Sequence, residues 1–310
     1  MTVRSKQSSM TDPQGRLSAL EVGTAPVNWN NDDLPQWRRH VPLAEMLDAM
    51  TRAGYSGTEY GTGFPRDPGE LRAELEPRSL KLTGSYQWLH FQHATVFALE
   101  LTELDNVFRA LAGFDCANLI VASAMTPERI AIAGRVPDDG SSGLPERGWA
   151  TLAEALARVR DRAAAWDIRV HFHNHVGSHV ESPPEVERLL EELPDGVDLC
   201  FDTGHYAFGG GEPLRFVQQH ADRIGYVHLK DVDQTVVNEA RSEEFGFLNA
   251  LRRFVFTELG NGGVDIPAVI AALRDSRYGG WIIVEQDTCK GDPTETAKQN
   301  RAYLRSTCGI

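Results

Sequence analysis

The sequence predicts a single-domain α/β fold, a closed (β/α)8 barrel spanning residues 19–310. Short β-type runs alternate with amphipathic helical patterns along the chain, which implies parallel βα units. Eight such repeats in about 290 residues match a barrel, whose usual size is about 250 residues plus insertions. No GxGxxG follows the first run and no GxxxxGKS/T occurs anywhere. A doubly wound dinucleotide or P-loop domain therefore loses its main support.

The elements follow in order. Residues 1–18 are polar and rich in Ser and Gln without a period, so a flexible tail is expected. The first strand is expected at Leu20–Val27 and the first helix at Pro42–Ala53, closed by the turn Ala53-Gly54-Tyr55. Strands at Gly57–Tyr60 and Leu80–Tyr86 flank a helix at Pro68–Glu76. Ala117–Ala122 is the fourth strand. The Gly-, Pro- and Ser-rich stretch Gly134–Gly148 after it is expected to be a mobile surface loop. A helix at Trp149–Trp166 leads to strand five at Ile168–His173. Pro184–Glu192, Val197–Asp202, Pro213–His220 and Ile224–Leu229 continue the alternation. Several of these helices open with proline at the first-turn position, where its missing N–H costs nothing. A second insertion, Asp231–Gly263, holds a helical run at Ser242–Phe256. Pro267–Asp275 and Trp281–Glu285 close the series. Insertions that follow strands fall on the C-terminal face of a barrel, where they can cover a site.

Composition narrows the class. Thirty-one basic against 44 acidic residues give a formal charge of −13, and no Lys/Arg-rich run appears, so nucleic acid is not an expected partner. No apolar run approaches the roughly 20 residues of a membrane span. The first twenty residues lack the apolar middle of a signal peptide. Cys116, Cys200, Cys289 and Cys308 are widely spaced with no CxxC pair, as expected of reduced cytoplasmic thiols.

Chemistry concentrates at the ends of the last four strands. Seven of the ten histidines fall between His171 and His228. In Arg169-Val170-His171-Phe172-His173-Asn174-His175, alternation puts His171, His173 and His175 on one face. The next runs end in Asp202-Thr203-Gly204-His205, His228-Leu229-Lys230-Asp231 and Glu285-Gln286-Asp287. A barrel gathers these ends into one ring. Two carboxylates with one or two imidazoles suit Mn2+, Co2+ or Zn2+, and an open position lets such an ion polarise a carbonyl or hydroxyl. Glu285 is the most telling member, since a carboxylate closing a buried strand needs a charged partner or a metal. His171 and His179 read as hydrogen-bonded core or exposed residues, and Asp231 and Asp287 as caps.

The series HFHNH (171–175), DTGH (202–205), YVHLKD (226–231), ELGNGGVD (258–265) and GWIIVEQD (280–287) resembles the xylose-isomerase-like TIM barrels, the sugar phosphate isomerase/epimerase-like proteins. Within them it is most similar to the inosose dehydratases. Val27-Asn28-Trp29 and the run 53–61 agree, and the resemblance spans about residues 20–290. It implies a divalent ion, Mn2+ or Co2+ before Zn2+ or Mg2+, held by Asp202, His228 and Glu285, with His173 at the strand-five position. Many members carry Glu there, in a Glu-Asn-His run; His173-Asn174-His175 departs from that pattern, and Glu181 is the alternative ligand.

The resemblance also implies dehydration of a keto-polyol such as 2-keto-myo-inositol, by α-proton abstraction and loss of the β-hydroxyl. His175, His205 and Lys230 are the candidates for the acid, base and enolate-stabilising roles. Glu59, Trp88 and Asn174 are assigned to substrate, with Trp29 a second stacking candidate and Glu258 a lining or loop-ordering residue. The same ring would also serve a ketose epimerase or isomerase, or a β-eliminating 3-keto-glycoside lyase. A catalytically silent sugar- or protein-binding barrel has no need of it. Barrels of this group often pair, so a dimer or tetramer is expected by analogy.

Overall fold

A computed structural model describes residues 20–114 and 116–310; the tail expected at residues 1–18 lies outside the described residues. Eight parallel strands close into a barrel: β1 (Glu21–Thr24), β2 (Gly57–Tyr60), β3 (Lys81–Leu89), β4 (Asn118–Ser123), β5 (Arg169–His173), β6 (Val197–Asp202), β7 (Ile224–Leu229) and β10 (Trp281–Val284). The second insertion carries a separate antiparallel pair, β8 (Asp231–Val232) and β9 (Phe256–Thr257). Closure comes from β1, whose Val22 lies opposite Ile282 of β10 while Gly23 lies opposite Gly57 of β2. The first strand stops at Thr24 because Pro26 opens a 3-10 turn, and β3 runs on to Leu89.

Alternation sorts the strands' side chains. Val170, Phe172, Leu199, Phe201 and Val227 are buried in the main core with helix residues Leu47, Leu71, Phe108, Leu156 and Leu189. Each such side chain contributes about 1.5–3 kcal/mol when fully buried. The opposite face looks into the barrel, where Ala25, Ile120, Cys200, Tyr226 and Ile283 form a small apolar cluster. His173, Asp202, His228 and Glu285 lie toward the C-terminal end of that inward face.

The helices predicted from proline starts are found within one residue of their expected ends, at Leu43–Ala53, Pro68–Leu75, Pro183–Glu192, Pro213–His220 and Ile266–Asp275. Asp67 caps the second through the amides of Gly69 and Glu70. The first ends at Gly54, whose φ of 89° lets its N–H reach the carbonyls of Met50 and Thr51. Helices at Ala94–Ala112 and Pro293–Tyr303 add to the outer layer.

Two expectations are corrected. The helix expected from Trp149 begins at Glu146, so the loop stretch ends at Pro145. The single helical run expected at Ser242–Phe256 is absent; helices occupy Gln234–Ser242 and Phe247–Arg252 instead. Asp233 caps the first of these through Thr235 and Val236. The break falls where Glu244 takes a left-handed conformation with φ of 56°. Beside it Gly246 packs so tightly on the Ile130 carbonyl that a Cβ would collide. Among the described residues no helix is long and apolar enough to cross a membrane.

Candidate metal centre and catalytic pocket

Strand register brings four donors together at the barrel's C-terminal mouth. Asp202 and His228 are direct partners on β6 and β7. Asp202 Oδ2 lies 3.3 Å from His173 Nε2 and 3.9 Å from His228 Nδ1. Glu285 Oε2, just beyond β10, lies 3.1 Å from the same His228 nitrogen. Donors about 2.1 Å from one ion at right angles sit about 3 Å apart, so this chain of contacts suits a shared cation. Close donor triads also form from His173, Asp202 and His205, and from Glu59, His228 and Glu285.

The charge balance supports the same conclusion. Glu59, Asp202, Glu285 and Asp287 are all buried, and one ammonium faces three of them. Lys230 Nζ is 2.9 Å from Asp202, 2.5 Å from Glu285 and 3.3 Å from Asp287. A divalent cation would supply the countercharge that one lysine cannot. Nδ1 of His173 and Nδ1 of His228 are buried without hydrogen-bond partners among the described residues. The residues present therefore fit a divalent metal ion.

Electrostatics follow from burial and neighbours. Burial alone would raise Asp202, but Lys230 and His173 outweigh it and hold the carboxyl at about 2. Glu285 is likewise held well below the carboxylate range against its burial, by His228 and Lys230. Burial pushes Asp287 up, with Glu285 and Asp202 adding to the effect against Lys230. Lys230 stays firmly charged despite burial because Asp202, Asp287 and Glu285 surround it.

The two histidines just beyond strands five and six, His175 and His205, have distinct hydrogen-bond states. His175 Nδ1 lies 2.7 Å from the Val176 carbonyl and must donate to it, which leaves Nε2 with a free lone pair. Burial, aided by His173 and Lys230, lowers His175 to about 3 and keeps it neutral. His205 Nδ1 accepts from the Val176 amide at 3.2 Å, so its proton sits on Nε2, which has no partner among the described residues. The two rings lie 4.0 Å apart. One presents a base and the other a donor.

The remaining expected residues are placed as follows. Glu59 lines the cavity, and its Oε1 lies 2.8 Å from His228 Nε2. Asn174, expected on substrate, is turned to the backbone: its amide donates to the Asp202 carbonyl and accepts from the Asp202 N–H. It braces the residue that presents Asp202. Trp88 stands at the mouth, 54% exposed. Trp29 is corrected from stacking candidate to core, since it is buried and its Nε1 donates to Thr294. Glu181 does not join the donors. Its carboxylate accepts from the Gly134 and Gly177 amides at 2.6 and 2.7 Å. Glu258 accepts from Thr257 and orders its loop. Asp231 accepts from the amides of Val232, Gly260, Gly262 and Val264, which folds the second insertion back on itself.

Sequence reasoning passed over three residues of the pocket. Asp287, read as a cap, lies beside Lys230 inside the cavity. Tyr86 packs its ring on His173 and His228 at 5.4 and 6.5 Å. Asp33 lines the same cavity, and burial raises its carboxyl to about 6. The strand-end position of Tyr86 was the available signal for it; loop-borne Asp33 offered none. The cavity measures about 690 Å³, ample for a cyclic polyol.

Known proteins match this architecture. A family model described as the xylose isomerase-like TIM barrel matches residues 40–307. An inosose dehydratase of Lacticaseibacillus casei is 34% identical over 295 residues, covering 94% of this chain and 98% of that protein. The rhizopine catabolism protein MocC of Rhizobium meliloti is 32% identical over 305 residues, covering 96% of this chain and 93% of that protein. Among solved structures, an L-ribulose 3-epimerase superposes with a TM-score of 0.70 at 16% identity, covering 94% and 95% of the two chains. The matched residues and these relatives show that the chain belongs to the xylose isomerase-like TIM barrel family.

Proposed function

We propose that the chain is a divalent-metal-dependent carbon–oxygen lyase that dehydrates a keto-polyol such as 2-keto-myo-inositol. The observation that carries the metal part is the buried set His173, Asp202, His228 and Glu285, linked by contacts of 3.1–3.9 Å around an excess of negative charge. The substrate is taken from the relatives named inosose dehydratase, whose likeness runs over nearly the whole chain. The ion is Mn2+ or Co2+, as the mixed nitrogen and oxygen donors favour. Four buried, unpaired cysteines agree with a cytoplasmic setting.

When bound, the divalent ion supplies Lewis acidity for charge developing at the ketone. The protein's own groups move the protons. His175 Nε2, neutral and open to the cavity, takes the proton from the carbon next to the ketone. Lys230 gives a proton to the departing β-hydroxyl, and solvent later carries the first proton from His175 back to it. The substrate thus loses one hydrogen and one hydroxyl as water, leaving an unsaturated ketone. His205, which lies outside the cavity lining with its ring 4.0 Å from that of His175, positions that imidazole, and Trp88 covers an apolar ring face. Among the described residues, Asp32, Asp33, Glu100 and Glu103 line the cavity with only Arg66 and the carboxylate-paired Lys230 as basic side chains, which favours an uncharged, hydroxyl-rich substrate over a sugar phosphate.

The test is incubation of the Mn2+-loaded protein with 2-keto-myo-inositol, followed by mass spectrometry. A product lighter by one water supports the reading. Unchanged substrate, or a stereoisomer of equal mass, overturns it.

A further inference from the structure

One inward-facing residue at the metal centre has no part in the chemistry above. Cys200 lies two residues before Asp202 on β6, on the same inward face, and is fully buried. In the sheet it is the direct partner of His173. Its sulfur and one nitrogen from each of His173 and His228 lie within 4.8 Å of one another. Both of these imidazoles have a buried Nδ1 without a hydrogen-bond partner among the described residues. A thiol and one ring nitrogen of each imidazole thus converge one layer below the carboxylates, over the apolar floor of Ile120, Tyr226 and Ile283.

We infer that His173, Cys200 and His228 form a second, sulfur-containing cation site that selects thiophilic ions. It uses the same two imidazoles as the upper site, so the two sites exclude one another. A hard ion such as Mn2+ takes the oxygen-rich set with Asp202 and Glu285. A soft ion such as Cd2+ settles lower, on sulfur and two nitrogens, and the thiol proton passes to the buffer. Ion hardness, rather than affinity alone, then decides which layer is filled.

The inference shares two ligands with the proposed function but not its substrate, so it is tested without turnover. Metal-stripped protein is titrated with Cd2+ and followed by ultraviolet difference absorption, which reports thiolate-to-cadmium charge transfer. The wild type should develop that band with one equivalent of ion, and Cys200→Ser should bind Cd2+ without it. Competition titrations should show the ratio of Cd2+ to Mn2+ affinity falling about tenfold or more in the variant. A wild-type Cd2+ complex lacking the band, or an unchanged ratio, overturns the inference. Should Cys200→Ser fail to fold, the wild-type spectrum and its loss on adding excess Mn2+ decide alone. Failure of the dehydration assay leaves these spectra unaffected, so the two proposals fail separately.

Discussion

Glu59 on β2 and His228 on β7 meet across the barrel mouth, with the carboxylate oxygen 2.8 Å from the ring Nε2. That bond fixes a proton on Nε2 and turns Nδ1 toward Glu285 and Asp202. Outer partners of this kind orient metal-binding imidazoles and sharpen their basicity. Glu59→Gln should weaken Mn2+ binding about 10- to 100-fold by calorimetry while the circular dichroism spectrum stays native. Unchanged affinity would remove Glu59 from this role.

His175 is separated from its neighbours by its tautomer. With Nδ1 committed to the Val176 carbonyl, only Nε2 faces the pocket. His175→Asn should lower kcat by about 10²- to 10⁴-fold. Bound metal, measured by elemental analysis, should stay at the wild-type level, because His175 is not among the ligands.

Lys230 neutralises part of a carboxylate cluster that would otherwise repel itself. Removing one partner of a buried charge group costs about 3–5 kcal/mol. Lys230→Met in the presence of chelator should therefore unfold at clearly lower urea than the wild type. Adding Mn2+ should recover more stability in the variant than in the wild type, since the ion then carries the missing countercharge.

Glu181 gives the fold a pH dependence of its own. Burial raises its carboxyl from 4.5 to about 7, although two backbone amides and Arg129 oppose the shift. Between those values the folded chain holds a proton that the unfolded chain has released. Its stabilising contribution is therefore complete at low pH and is lost as pH rises through about 7. Urea unfolding at about pH 5 and about pH 8 should show the wild type losing more stability over that interval than Glu181→Gln. Equal losses would contradict the shift.

Much of this was legible in the primary structure for one physical reason. A buried parallel strand is apolar on both faces, so a His, Asp or Glu ending it stands out, and Asp202, His228 and Glu285 did. Alternation then placed His173 and His175 on one face. What stayed hidden depends on pairings between distant segments. Asn174 looked like a pocket residue until its amide was seen on the Asp202 backbone. Asp287 looked like a cap because nothing local announces that Lys230 reaches it. Trp29 follows the end of β1 and Trp88 lies near the end of β3, yet Trp29 is covered by the helix at Pro293–Tyr303 through Thr294. The break at Glu244 and Gly246 reflects the Ile130 carbonyl, over a hundred residues away in the chain.

Crystals grown with Mn2+ and measured at the manganese absorption edge would locate the ion itself. An anomalous peak about 2.0–2.3 Å from His173, Asp202, His228 and Glu285 together is expected. A peak anywhere else, or four side chains ordered around no ion at saturating Mn2+, would refute the shared centre on which the chemistry rests.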